Sequence, residues 1–141
     1  MIVLDTDVIS ALLRPGLNPI VVAWLDGQDP TQVRITAVSL HEIMFGIHRL
    51  PDGRRRQSLA ANLAALLTSD IGSSVLLLNH DASRRSAIAQ VNAERATGHY
   101  DVADCLIAGI AAANSASVAT RNQRHFQHLG VPLINPWSTL P

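Results

Sequence analysis

Short apolar runs alternate with helical patterns along the chain, and this alternation restricts the fold more than any other feature. The apolar runs predict five strands, over residues 1–4, 33–38, 74–79, 115–120 and 131–135. The segments between them predict helices over 19–27, 40–50, 53–68, 82–97 and 101–115. Strands that alternate with helices are typical of an α/β domain with a mostly parallel sheet. We therefore predict a single domain over residues 1–141, with a central sheet of about five strands flanked by helices.

Residues that commonly cap helices stand near the start of each predicted helix. The predicted caps are Asn18 followed by Pro19, Ser39, Asp52, Asp81 and Asp101. In the helix over 53–68, Leu59, Leu63 and Leu66 fall on one face, which supports the helical assignment.

The composition excludes several classes of protein. Hydrophobic residues make up 48% of the chain and charged residues only 16%, which is a globular profile. The formal net charge is zero, so binding to nucleic acid would need a local patch or a bound cation. All the basic residues are Arg, so no lysine nucleophile is available, and the single Cys105 excludes an internal disulfide and a cysteine zinc cluster.

The sequence shows no sign of a membrane or secretory segment. The apolar start ends at Asp5, which is too early for a signal peptide. No uncharged apolar run approaches the ~20 residues that cross a bilayer. We expect a cytoplasmic protein without membrane contact.

The first predicted strand runs directly into Asp5, Thr6 and Asp7. In open α/β sheets, ligands bind beyond the carboxyl ends of the strands. Thr120 and Asn122 follow the fourth predicted strand and should lie at the same edge, together with Arg121. Because the chain leaves the strand after Asp5, we expect Asp7 to point away from this edge or to act as a local cap.

Two further acids lie in helical patterns and could reach that edge. Glu42 is isolated in an apolar helix, where a carboxylate is costly unless something pairs with it. Asp104 is three residues after Asp101 and deeper in its helix, so Asp101 is the better cap. The alternatives are a half-exposed surface role for Glu42 and a capping role for Asp104. We expect Asp5, Glu42 and Asp104 to converge.

Carboxylates that are held together repel one another unless they are protonated or bridged by a cation. Acidic oxygen ligands favour Mg²⁺ or Mn²⁺ over zinc. Such ions can activate water and hold a phosphate for in-line displacement. The pattern is therefore typical of metal-dependent phosphodiester chemistry.

Five segments in order resemble the PIN domain, and more narrowly the VapC and FitB toxins of bacterial toxin–antitoxin pairs. They are "MIVLDTDVIS", "TAVSLHEIMFGIHRLPDGRRR", "ADCLIAGIAA", "VATRNQRHF" and "INPW". The resemblance implies a Mg²⁺- or Mn²⁺-dependent endoribonuclease toxin that cleaves RNA, with tRNA or rRNA as the target, by a metal-activated water. It also implies a cognate antitoxin as partner and a homodimer.

The resemblance also implies roles for particular residues. Asp5, Glu42 and Asp104 correspond to catalytic acids that hold the metal, and Thr120 to a hydroxyl that faces the same site. Asn122 is included in the catalytic set, although relatives often carry Asp there or at the position of His125. Asn122 would coordinate through its amide oxygen or position water.

A local basic segment could supply contacts to the RNA backbone. Arg54, Arg55 and Arg56 fall in the first turn of a predicted helix, where they oppose its dipole, and Arg49 lies just before them. With Arg121, they are the predicted RNA-binding residues. The alternative is an ordinary solvated helix start.

Two other functions remain open. A PIN-like domain without the fourth acid could bind RNA or a partner without cleaving. A phosphatase of the haloacid dehalogenase type also carries an acid pair after its first strand, as in "LDTDVI", but its usual lysine is absent here. A dinucleotide-binding domain is disfavoured, because no G-x-G-x-x-G follows the first strand.

Overall fold

The computed structural model describes residues 1–138, and within them four parallel strands form one sheet. The strands are β1 (Ile2–Leu4), β2 (Val33–Arg34), β3 (Ser117–Ala119) and β4 (Leu133–Ile134). Their order is β2-β1-β3-β4, with Val3 paired to Arg34 on one side and to Val118 on the other. The prediction of an α/β domain with a parallel sheet is confirmed.

Seven α-helices connect and flank the strands within the described residues. They are α1 (Thr6–Leu12), α2 (Pro19–Asp26), α3 (Ala37–His48), α4 (Arg54–Thr68), α5 (His80–Thr97), α6 (Val102–Ala113) and α7 (Gln123–Phe126). Short 3₁₀ turns precede α2 and β2, at Pro15–Leu17 and Pro30–Gln32. The five predicted helices are all present, whereas α1 and α7 were not predicted. The helix α1 follows β1 without a loop, since Asp5 is both the end of the strand and the N-cap of the helix.

The third predicted strand, over 74–79, is reduced to a single bridge. Leu76 donates its N–H to Ile35 and accepts from Ala37, both at 2.9 Å, beside the end of β2. Leu77 and Leu78 on its C-terminal side are 67% and 40% exposed. The rest of this apolar run is therefore not packed into the sheet, and the strand ends after one bridge. The second predicted strand is also shorter than expected, because Thr36 already caps α3.

Several predicted caps were wrong by one to three residues. Thr36 caps α3 by accepting from the N–H of Ser39, and Asn79 caps α5 by accepting from Ala82. Asp52 and Asp81 instead pair with nearby arginines. The side chain of Asn18 donates to carbonyls of the preceding turns, although α2 does begin at Pro19.

The core lies on both faces of the sheet. Neighbouring residues of a strand point to opposite faces, so Leu4 joins the apolar side chains of α1 to α4, and Val3 joins those of α5 to α7. On the second face, α6 packs closely on α5 at Gly109, where a Cβ atom would come within 2.5 Å of the Ser86 side chain. This packing fixes the N-terminal end of α6 beside the carboxyl edge of the sheet.

None of the helices in residues 1–138 combines the length and the apolar character needed to cross a membrane.

Candidate active site

Asp5 delivers a buried carboxylate to the carboxyl edge of the sheet. Its backbone N–H donates to Ala119 at 2.9 Å, which joins the end of β1 to the end of β3. One side-chain oxygen, Oδ1, accepts from the N–H of Thr6 at 2.7 Å, and the other, Oδ2, accepts from the hydroxyl of Thr120 at 2.8 Å. Asp5 is only 5% exposed, so its orientation is fixed on both sides.

Thr6 links this acid to Glu42. Its hydroxyl donates to Glu42 Oε1 at 2.7 Å and lies 3.3 Å from the hydroxyl of Ser39. Glu42 is half-buried on α3, as the alternative of a half-exposed residue expects, but its carboxylate is hydrogen-bonded to Thr6 beside Asp5. Sequence reasoning missed this role of Thr6; its position between two acids was the available signal.

Asp104 lies in the first turn of α6, behind the cap that Asp101 provides. Asp101 accepts from the N–H of Asp104 at 3.0 Å, as predicted. The side chain of Asp104 is 14% exposed, and its Oδ2 lies 3.3 Å from Nδ1 of His125 on α7. Asp104 is therefore not a cap itself and faces the neighbouring acids.

The electrostatics show that these acids act on one another. Burial raises the pKa of Asp104 to about 8, with further contributions from the charges of Asp5, Asp101 and Glu42. Burial also raises the pKa of Asp5 to about 6, and the next cause is the charge of Asp7. The carboxylates thus form an acidic cluster, defined here as Asp5, Asp7, Glu42 and Asp104, in which negative charge is poorly compensated.

Asp7 does not point away from this edge, contrary to the expectation. Because α1 begins at Thr6, Asp7 lies in its first turn, next to the end of β3. Its Oδ2 accepts from the N–H of Arg121 at 3.0 Å and lies 3.4 Å from the hydroxyl of Thr120. Its Oδ1 is buried, and within the described residues it has no hydrogen-bond partner. Asp7 is therefore a member of the cluster that the sequence interpretation omitted.

Thr120 and Asn122 occupy different positions at the end of β3. Thr120 is fully buried, and its hydroxyl also accepts from the N–H of Asn122 at 3.1 Å. Asn122 is exposed, and no hydrogen bond joins its side chain to the acidic cluster within residues 1–138. The backbone of Asn122 is thus connected to the site through Thr120, whereas its amide is free to turn.

The acidic cluster is not yet arranged as a metal cage. Within residues 1–138, no three His, Cys, Asp or Glu side chains are grouped so that they could hold an ion at once. The three predicted acids therefore meet at one edge of the sheet without closing on a single point.

The predicted RNA-binding arginines differ in their contacts. Arg56 pairs with Asp52 at 2.6 Å, and Arg49 lies over the ring of Phe45 at 5.4 Å from its centroid. Arg54 and Arg55 are exposed at the start of α4. Arg121, next to the acidic cluster, lies 4.9 Å from the ring centroid of Trp137.

A groove leads from the acids toward a basic residue that the sequence interpretation did not single out. It has a volume of ≈ 160 Å³ and is lined by Thr6, Glu42, Gly46 and Arg14, among others. Arg14 also lines the adjoining hollow that Arg55 borders. Gly46, one turn after Glu42, has no side chain, which leaves space in the groove over the Glu42 carboxylate.

Comparison with known proteins extends over nearly the whole chain. The family model of the PIN domain matches residues 2–131. The chain is 35% identical over 137 residues to a VapC ribonuclease of Sinorhizobium fredii, an alignment that covers 97% of this chain and 98% of the relative. It is 32% identical over 139 residues to the toxin FitB of Neisseria gonorrhoeae, which covers 97% and 99%. The crystal structure of FitAcB from Neisseria gonorrhoeae superposes with a TM-score of 0.87 at 32% identity, and the match covers 98% of this chain and 99% of that one.

Proposed function

The chain belongs to the PIN domain family, and from this premise we propose that it is a divalent-metal-dependent endoribonuclease, the toxin of a toxin–antitoxin pair. The observation that carries the proposal is the acidic cluster. Carboxylates from β1, α3 and α6 lie at one sheet edge, where burial and mutual charge hold the pKa values of two of them well above the ordinary range. Relatives at 35% and 32% identity carry the names of a ribonuclease and a toxin.

The donor set fits Mg²⁺ or Mn²⁺. These ions prefer oxygen ligands, and every candidate ligand in the cluster is a carboxylate. A cation would stabilise the ionised carboxylates against the burial and the mutual repulsion that raise the pKa values of Asp5 and Asp104. We propose that Asp5, Glu42 and Asp104 hold the ion after small rotations of their side chains. A bound ion would supply activation of water as the nucleophile and stabilisation of charge on the phosphate.

The neighbouring residues orient these ligands. Thr120 donates to Asp5, and Thr6 donates to Glu42, so each hydroxyl fixes one carboxylate. Such supporting hydrogen bonds set the direction of the ligand lone pairs and favour the ionised form. Asn122 would add a neutral amide oxygen beside Thr120, or hold a water there.

We assign the fourth acidic position to Asp7. Asn122 brings no charge to the end of β3, whereas Asp7 reaches the same place from α1 and contacts Thr120 and the N–H of Arg121. The unpaired oxygen of Asp7 is a free ligand atom in a buried setting, where an unpaired polar group is costly. Asp7 would therefore restore the charge that residue 122 lacks.

The RNA would reach the acids along the groove over Gly46. Arg14 lines this groove and Arg55 lines the adjoining hollow, and both would offer phosphate contacts. Arg121 stands on the other side of the cluster, held near Trp137. Arg49, Arg54 and Arg56 would contribute more peripheral contacts. We propose tRNA or rRNA as the target class and the cytoplasm as the location.

An antitoxin and a second copy of the chain are the proposed protein partners. The relative FitB is named a toxin, and a solved structure at 26% identity belongs by its title to the VapBC family of toxin–antitoxin systems. On this chain, Met44 and Phe45 of α3 are 39% and 59% exposed, and Ile88 and Val91 of α5 are 51% and 44% exposed. Exposed apolar groups of this size often mark interaction sites.

A cleavage assay tests the proposed function. Purified protein is incubated with total tRNA and rRNA in Mg²⁺, in Mn²⁺ and in excess EDTA, and the products are analysed for 5′-phosphate and 3′-hydroxyl ends. We expect metal-dependent cleavage by the wild type, loss of cleavage in Asp5→Asn, and full activity in Asp70→Asn, which replaces an exposed acid far from the cluster in sequence. Activity in EDTA, or products with cyclic phosphate ends, would contradict the metal mechanism.

The same assay separates the remaining alternative. The remaining alternative is a PIN domain that binds RNA without cleaving it, and the neutral side chain of Asn122 favours it. This alternative predicts that the protein binds RNA in Mg²⁺ and in Mn²⁺ but yields no cleavage product. The phosphatase alternative does not survive membership of the PIN domain family.

A further inference from the structure

A cavity of ≈ 410 Å³ lies beside the acidic cluster and has no part in the site described above. It is enclosed by the end of α5, the loop before α6, and α7. The side chains at its rim that matter here are Thr97, His99, Tyr100, Arg124, His125 and His128. We call it the tyrosine pocket. Its volume is in the range of small-molecule sites, about 300–1,000 Å³.

We propose that the tyrosine pocket binds one nucleotide of the RNA strand, adjacent to the phosphate that is cleaved. The inference rests on the proposed ribonuclease function, and it assigns a substrate subsite to the same site. It predicts that the protein recognises one base next to the cleaved bond, in addition to the RNA backbone.

The tyrosine pocket lies next to the acidic cluster. His125 lines the pocket, and its Nδ1 lies 3.3 Å from Oδ2 of Asp104. One side chain thus separates the pocket from the acidic cluster. An RNA strand whose phosphate lies at Asp104 would place a neighbouring nucleotide over this opening.

The rim of the pocket combines aromatic rings with an exposed arginine. Tyr100 is 44% exposed and lines the pocket together with His99 and His128. Proteins that read single-stranded RNA stack unpaired bases on such flat rings. Arg124 is exposed and forms no ion pair within residues 1–138, so its guanidinium is available to a phosphate.

Hydrogen bonds hold the segment that contains Tyr100 in place. Gly98 ends α5 in a left-handed conformation, with φ of 74°, and its N–H donates to Glu94 at 2.8 Å. The hydroxyl of Thr97 then donates to the carbonyl of His99 at 2.8 Å and accepts from its N–H at 3.1 Å. A fixed wall reduces the ordering cost of binding.

A metal ion is not the occupant that this geometry favours. Three imidazoles line the pocket, but that of His125 is turned toward Asp104, with its Nδ1 3.3 Å from Oδ2. The carboxylate of Asp101 at the rim is already engaged as the cap of α6. The rim therefore offers rings and one free cation, which match a base and its phosphate.

The single tyrosine of the chain makes the proposal directly measurable. Protein labelled with 3-fluorotyrosine gives one ¹⁹F NMR signal, at Tyr100, and this signal is followed during titration with each of the four ribonucleoside 5′-monophosphates. We expect a saturable shift with at least one of them. Replacement Arg124→Gln should weaken binding about tenfold, because it removes a charge-assisted hydrogen bond. Arg95→Gln removes the same charge from α5 outside the pocket and should leave the affinity unchanged.

A second readout joins the pocket to the RNA. Cleavage sites on a defined RNA pool are sequenced for the wild type and for Tyr100→Leu, and the variant should lose a base preference at one position next to the cut. Cleavage with the same preference in Tyr100→Leu, or no ¹⁹F shift with any nucleotide at 10 mM, would overturn the inference while the ribonuclease function stands. A shift produced only by an antitoxin peptide would overturn it as well. An absence of RNA cleavage by the wild type would count against the proposed function instead, and against the subsite with it.

Discussion

The acidic cluster should make the metal-free protein less stable as the pH rises, and Asp104→Asn should remove much of this effect. The pKa of Asp104 rises from 3.8 to about 8 in the fold, first by burial and then by the charges of Asp5, Asp101 and Glu42. Between these two values the folded protein binds more protons than the unfolded chain. Its stability is therefore complete below the unfolded pKa near 4 and is lost as the pH rises toward 8. The raised pKa of Asp5, about 6, adds a loss of the same sign over a narrower range.

The magnitude follows from the size of the shift. One pKa unit corresponds to about 1.4 kcal/mol, so the shift of Asp104 alone sets a ceiling of roughly 6 kcal/mol. Asp104 is only 14% exposed, so solvent screens little of this cost, but rotation of the carboxylates and entry of water relieve part of it. We expect a loss of about 2–3 kcal/mol between pH 4.5 and pH 8, which for a chain of this size lowers the Tm by roughly 6–10 °C.

The measurement is thermal unfolding in EDTA at several pH values between 4.5 and 8. Wild type should lose stability across this range, Asp104→Asn should be flatter and more stable than wild type at pH 8, and Asp70→Asn, an exposed acid, should follow the wild type. Addition of Mg²⁺ or Mn²⁺ at pH 8 should raise the Tm of the wild type and leave that of Asp104→Asn nearly unchanged, since an ion that binds only the folded state stabilises it. A wild-type profile that is flat in EDTA, or an equal metal response in both proteins, would refute the reasoning.

Three further predictions concern the residues around the acids. Asp7→Asn should weaken Mn²⁺ binding about tenfold in calorimetry, because it removes a charge and a free ligand oxygen from the cluster; unchanged affinity would remove Asp7 from the site. Asn122→Asp should tighten Mn²⁺ binding or add a second ion to the stoichiometry, and a variant identical to wild type would show that residue 122 does not face the metal. Thr6→Val should lower the rate of RNA cleavage by roughly tenfold through the lost hydrogen bond to Glu42, worth about 1.5 kcal/mol, whereas Thr6→Ser should restore it; failure of this rescue would mean that Thr6 acts through packing.

The sequence predicted the edge of the sheet where the acids lie, because that prediction needs only local patterns. A short apolar run that ends in Asp5 and a second that ends at Thr120 place both residues beyond parallel strands. The prediction of a full strand over 74–79 rested on the same reasoning and was wrong. Apolar composition cannot distinguish a strand from a half-exposed connection, and only Leu76 found a partner at the sheet edge.

The helix caps and Asp7 could not be predicted for a different reason. Ser, Thr, Asn and Asp all cap helices, and several stand close together before α3 and α5, so the choice of Thr36 and Asn79 depends on how each helix is docked. The helix α1 is only seven residues long and follows β1 without a turn residue. Without that helix, the direction of Asp7 could not be inferred.

The contact between Thr6 and Glu42 joins residues 36 positions apart and explains how the fold keeps like charges together. Asp5 and Asp104 each have a fully buried apolar neighbour in the chain: Leu4 precedes Asp5, and Cys105 follows Asp104. The core on the two faces of the sheet thus fixes the backbone of both acids, whatever their charges favour. Proteins commonly sacrifice stability at a functional site in this way, because interactions elsewhere determine the fold. The repulsion in the acidic cluster is then a property that a bound cation can relieve, and relief of that repulsion would contribute to the affinity of the site for the metal.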